Sequence, residues 1–154
     1  MRELSRQLKT EDLFEHAGPL LARLRAEHPF PDGAAMLARA RQILTELSEA
    51  EQIAVINAHP RIGERPEKLS RASFREQGYQ GDATPPEVLL KLATLNDEYE
   101  QKFGFRFVVF VNRRSKEAIV PLLEARLRRP RAEELQTALQ EILAIAEDRL
   151  CSRS

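Results

Sequence analysis

Apolar residues recur at helical spacing through most of the chain. Leu20, Leu21 and Leu24 follow a Gly18-Pro19 break, which ends a short helical turn predicted over Thr10 to His16. Met36, Ala40, Ile43, Leu44 and Leu47 mark one face of a second helix, for which Asp32 is a candidate N-cap. Ser48 and Glu51 have the spacing of a capping box before a shorter helix carrying Ile53, Val55 and Ile56. Ser70 caps another short helix, and Gly78 and Gly81 mark a turn after it. Thr84-Pro85-Pro86-Glu87 reads as a further capping box with proline at the first helical position. The longest helix runs from there to Phe103, with Val88, Leu92, Leu95, Tyr99 and Phe103 on one face and Gly104 as its C-cap. Ser115 caps a helix that Pro121 kinks, and Arg129-Pro130 separates it from a last helix reaching about Leu150.

Three places break this pattern. Asn96 falls on the apolar face of the longest helix, where a buried amide needs partners, and reads as a structural polar group. Arg149 continues the stripe of Leu135, Leu139, Ile142 and Ala146, so it must either meet an anion or snorkel to water. Phe105-Arg106-Phe107-Val108-Val109-Phe110-Val111 is the one strand-like run. A single strand cannot make a sheet. Unless it pairs with a second copy, it is a buried extended segment whose amides seek side chains or a ligand. The expected fold is therefore all-α: a single compact multi-helix domain over residues 1–154 with one extended segment at about Phe105 to Val111.

Composition narrows the function. Lysine plus arginine and aspartate plus glutamate each number 24, so bulk charge favours neither nucleic acid nor a membrane surface. The basic run Arg126-Leu127-Arg128-Arg129-Pro130-Arg131 lies at a predicted helix end, where cations suit the macrodipole. No apolar run approaches the roughly 20 residues of a membrane span. The lone cysteine, Cys151, and an N-terminus unlike a signal peptide point to a reducing cytoplasm. His16, His28, His59 and Cys151 are scattered without metal-ligand spacing.

The candidate chemistry centres on Asn57-Ala58-His59-Pro60-Arg61-Ile62-Gly63-Glu64-Arg65-Pro66. A residue before proline is pushed out of the helical region, so His59 leaves its helix at a defined turn. Downstream, Ser73, Glu76 and Gln77 share one helix face by their spacing. An imidazole, a carboxylate, free amides and an inward arginine make an acid–base site for a hydrogen-bonding anion. Singly, His59 reads as a loop histidine, Glu76 as a solvated carboxylate, and Ser73 as bonded back to its helix. His28-Pro29 is the same dipeptide without such a face.

Together these stretches resemble a known family. Asn57 to Gly63, Ser73-Phe74-Arg75-Glu76-Gln77, Leu95 to Phe105 and the terminal Arg149-Leu150 are similar, in order, to the OHCU decarboxylases, where OHCU is 2-oxo-4-hydroxy-4-carboxy-5-ureidoimidazoline. The resemblance implies an all-helical homodimer that uses no cofactor and performs the last step of urate breakdown, loss of carbon dioxide from OHCU to give (S)-allantoin. It also implies His59 as catalytic residue, with Glu76 orienting it or the substrate. Pro60, Ser73, Gln77, the backbone of Phe107, Val108, Val109, Phe110 and Val111, and Arg149 are implied substrate contacts. Val111-Asn112-Arg113-Arg114-Ser115 departs from the glycine-containing turn of many members. The other function classes compatible with these residues are a cofactor-free lyase for another heterocycle and a helical interaction module.

Overall fold

The computed structural model describes residues 13–15, 17–64 and 84–152. Among these, six helices and no strand occur: α1 (Gly18–Glu27), α2 (Gly33–Glu46), α3 (Glu49–Asn57), α4 (Pro86–Phe103), α5 (Lys116–Arg126) and α6 (Arg131–Ser152). The expected Ser70-capped helix and the Gly78/Gly81 turn lie outside the described residues. The chain divides into two compact units, Met1–His59 with Leu139–Ser154, and Pro60–Ala138.

In the first unit α1 packs on α2 and α3. Leu20, Leu21 and Leu24 of α1 are buried, as are Met36, Ala40, Ile43 and Leu44 of α2 and Val55 and Ile56 of α3. Fully burying one such side chain contributes about 1.5–3 kcal/mol. Asp32 caps α2 by accepting the Ala35 amide at 2.8 Å. Ser48 and Glu51 form both halves of the expected capping box at the start of α3. Gln52, rather than Ile53, takes a buried position there, and its amide nitrogen donates to the Leu44 carbonyl at 2.8 Å. The stripe of α6 is buried through Leu139, Ile142 and Ala146, and Leu150 closes against Gly33 at the start of α2.

In the second unit α4 packs on α5. Leu92, Leu95, Asn96, Tyr99 and Phe103 form the buried face of α4, and Gly104 ends the helix at φ +82°, a conformation that favours glycine. The expected Thr84 capping box is not formed. Pro85 holds the cap position, and its carbonyl takes the Val88 and Leu89 amides at 3.0 and 3.3 Å, leaving Thr84 a residue too early. Ser115 caps α5 as expected, and the helix runs through Pro121 as one element. Residues 105–111 are neither helix nor ladder-paired strand, and Phe105, Phe107, Val108, Val109 and Val111 are buried.

Candidate active site

Helix α3 stops because Pro60 cannot continue it. Ala58 forms the C-cap, and the His59 amide closes a last turn onto the Ile56 carbonyl at 3.1 Å. The His59 ring lies inside the protein, only 2% of the residue being exposed, with Nδ1 3.3 Å from the Val55 carbonyl. A carbonyl oxygen only accepts, so Nδ1 carries the proton and Nε2 the lone pair. Burial, and then the nearby Arg149 cation, push the His59 pKa down to about 4, against opposing contributions from Glu15 and the Val55 carbonyl. Near neutral pH the ring is an uncharged base in one tautomer.

Arg149 does not snorkel. It is 4% exposed, and its guanidinium donates through NH2 to Glu15 Oε1 at 3.1 Å and through NH1 to the Leu13 carbonyl at 3.3 Å. Glu15 is likewise buried and sits at φ +55°, in the left-handed region that costs a glutamate about 1–2 kcal/mol. The first unit thus contains a buried carboxylate, a buried guanidinium and the imidazole that both influence.

The second unit begins with the rest of the His-Pro stretch. Arg61 grips Glu100 through Nε at 2.8 Å and NH2 at 2.9 Å, and NH2 also reaches Asp97 at 2.7 Å. Asn96 fulfils its structural reading, donating to the Ile62 carbonyl at 3.1 Å from a site 1% exposed. Gly63 turns the chain at φ +83° against Leu92 and Leu89. The loop after Pro60 is therefore pinned along one face of α4.

The extended segment is held by its carbonyls. Arg126 NH1 donates to Val108 O at 2.9 Å, while Arg114 donates to Phe110 O at 2.5 Å and Val111 O at 2.9 Å. Among the described residues, the amides of Phe107, Val108, Val109 and Val111 donate no hydrogen bond. After the segment, Asn112 and Arg113 take φ +52° and +65°, the left-handed conformation that glycine adopts most easily.

Of the expected site residues, His59 and Arg149 fall in the first unit, and Pro60 and Phe107 to Val111 in the second. Ser73, Glu76 and Gln77 lie outside the described residues. Two groups went unread in the sequence. Glu15 had no periodic signal. Arg126 ends α5, as the reading of the basic run expected, yet it is also 4% exposed and bound to Glu134, a role that reading did not include. Its spacing from Ile119 and Leu123, both buried, was the available signal.

Fold and cluster define an all-α protein with a buried, uncharged acid–base group. A family model described as OHCU decarboxylase matches residues 4–151, and the chain belongs to that family. A 2-oxo-4-hydroxy-4-carboxy-5-ureidoimidazoline decarboxylase of Halalkalicoccus jeotgali is 34% identical over 140 residues, covering 90% of this chain and 79% of the relative. The uric acid degradation bifunctional protein of Bacillus subtilis is 31% identical over 154 residues, covering 97% of this chain and 31% of its own length. The fold matches a crystal structure of OHCU decarboxylase in the presence of (S)-allantoin, with TM-score 0.77 and 23% identity, over 94% of this chain and 96% of that one. Among the described residues no helix is long and apolar enough to cross a membrane.

Proposed function

We propose that this protein decarboxylates OHCU to (S)-allantoin in urate catabolism. The observation that carries this is the family match over residues 4–151, which embraces both compact units and favours a single functional domain. The chemistry of His59 agrees with it. The bond from C4 to the carboxylate breaks, its electron pair forms a C4–C5 double bond, and the former C5=N pair moves to the ring nitrogen, which takes a proton. His59 Nε2 accepts the C4 hydroxyl proton as that carbon becomes a carbonyl, C5 is protonated from one face, the ring nitrogen keeps its proton as an N–H of allantoin, and His59 gives up the proton it received to restore the neutral ring. One proton is taken up overall for each carbon dioxide lost, and the ring itself is the electron sink.

His59 and Glu76 are assigned as the catalytic residues. Pro60, Ser73, Gln77, the backbone of Phe107 to Val111, and Arg149 are assigned to substrate. The carbonyl-rich ureidoimidazoline suits amides such as those of Phe107, Val108, Val109 and Val111. The reading includes a homodimer, to be checked by analytical ultracentrifugation, and a cytoplasmic setting, supported by a composition with one cysteine, the exposed Cys151.

The decisive assay generates OHCU freshly from urate with the two preceding enzymes and follows circular dichroism at allantoin's absorption. Optically active allantoin formed faster than the spontaneous rate is expected. Racemic product at the spontaneous rate would overturn the proposal.

A further inference from the structure

Arg126 is itself held in place. Its Nε donates to Glu134 Oε1 at 2.8 Å, and the same oxygen accepts the Tyr99 hydroxyl at 2.5 Å. Glu134 Oε2 accepts from Arg129 at 2.9 Å. Glu134 is fully buried and Arg126 nearly so. Beneath the guanidinium lies the Phe107 ring, 4.6 Å from Cζ to its centroid. Both the Glu134 carboxylate and burial raise the Tyr99 pKa, burial being the larger influence, so the phenol stays a donor.

Such a network is a poor device for stability alone. Well-packed apolar side chains of similar volume often do as well or better than a buried ion pair. What an apolar replacement cannot do is hold a backbone carbonyl. The planar guanidinium of Arg126 reaches Glu134 through Nε and Val108 O through NH1, while its face covers Phe107. Two consecutive residues of the extended segment are thereby fixed, one by its ring and one by its carbonyl. Their amides are among those left undonated within the described residues.

We propose that Arg126 is a positioning residue for the substrate: anchored by Glu134 and Tyr99, it clamps Phe107 and Val108 so that the amides of this segment keep the register a carbonyl-rich heterocycle requires. This rests on the reading of Phe107 to Val111 as substrate-binding. Arg126 makes no contact with the reacting atoms in this account. Its loss therefore weakens substrate and transition state alike, which appears in KM and not in kcat.

Arg126→Lys keeps the charge but cannot bridge carboxylate, carbonyl and ring together. In a folded variant, checked by circular dichroism and thermal unfolding, KM is expected to rise about tenfold and (S)-allantoin affinity to fall comparably, with kcat within about twofold. Unchanged KM and affinity, or a loss confined to kcat, would overturn the clamp. Should the lysine variant not fold, Glu134→Gln carries the same test, with KM up about threefold expected and unchanged KM overturning the clamp. Amide NMR of the unaltered protein separates the two levels. Perturbed Phe107 to Val109 amides on saturation with (S)-allantoin, alongside unchanged KM in Arg126→Lys, overturn the clamp alone. No perturbation of those amides overturns the substrate-binding reading, and the clamp with it.

Discussion

Two histidine-proline pairs end two helices of the first unit, and they have opposite fates. His28 is itself the C-cap of α1, extended at φ −62° and ψ 144°, with its amide on the Arg25 carbonyl and its side chain exposed. At the end of α3 the cap falls one residue earlier, on Ala58, and His59 makes a further turn that returns its ring to the Val55 carbonyl. Proline does the same work in both pairs by ending the helix. The chemistry differs because of what surrounds the ring. His28 meets solvent, whereas His59 is buried near Arg149 and Glu15, which come from distant parts of the chain. The dipeptide fixes where the backbone turns, and remote residues decide whether the imidazole becomes a tuned base.

The strongest way to break this contrast is His59→Gln, which keeps a polar side chain of similar size but removes the titrating base. Turnover should fall by at least about 100-fold while the variant stays folded. Near-normal formation of (S)-allantoin by a folded His59→Gln would remove His59 from the chemistry.

Glu15→Gln attacks the surroundings instead of the ring. It leaves the Arg149 guanidinium buried with a neutral acceptor, a change expected to cost about 3 kcal/mol in denaturant unfolding. Because Glu15 raises the His59 pKa and Arg149 lowers it, the same substitution should depress that pKa further, as read from the imidazole C–H resonances. A stable variant with an unmoved His59 titration would show that the Glu15–Arg149 pair does not govern the ring.

Acid sharpens the comparison through linkage. The unfolded chain protonates His59 near the ordinary 6.5, while the folded protein resists until about 4. The unfolded state therefore binds more protons as pH falls, and stability is lost between these two values, reaching about 3 kcal/mol once both states are protonated. His59→Gln should abolish this component of the acid dependence, and turnover that needs the neutral ring should persist down to about pH 5 before falling. A wild-type His59 titrating near 6.5 by NMR would contradict the buried, cation-adjacent placement.

What the sequence disclosed was mostly local. The Asp32, Ser48 and Ser115 caps, the Gly104 stop and the apolar stripes each depend on residues within a turn or two of one another. The extended segment was also legible, since a strand with no neighbour in the pattern must bury its backbone some other way. Thr84 misled because two following prolines shifted the cap by one residue. Arg126 and Glu15 were hidden for different reasons. The charge of the surrounding run masked the helical register of Arg126 with Ile119 and Leu123, whereas Glu15 gains its meaning only from Arg149 at the other end of the chain. Arg149 lay between: its inward face was periodic, but whether an anion or water met it was a tertiary question. The assignment of Ser73, Glu76 and Gln77 remains grounded in the family pattern.

The smallest expected effect belongs to His28→Gln, and it is the control that gives the others meaning. His28 is exposed, and its part in ending α1 is played by its backbone, through the amide bond to Arg25 O at 3.3 Å and the proline that follows. Glutamine preserves both. Unfolding free energy should stay within about 0.5 kcal/mol of the unaltered protein, as for an ordinary surface substitution. Turnover should likewise stay within about twofold, since no proton in the proposed reaction passes through this ring. A large loss of turnover in a folded His28→Gln would mean that an exposed imidazole serves the reaction, and burial beside Arg149 and Glu15 would no longer distinguish the working histidine from the idle one.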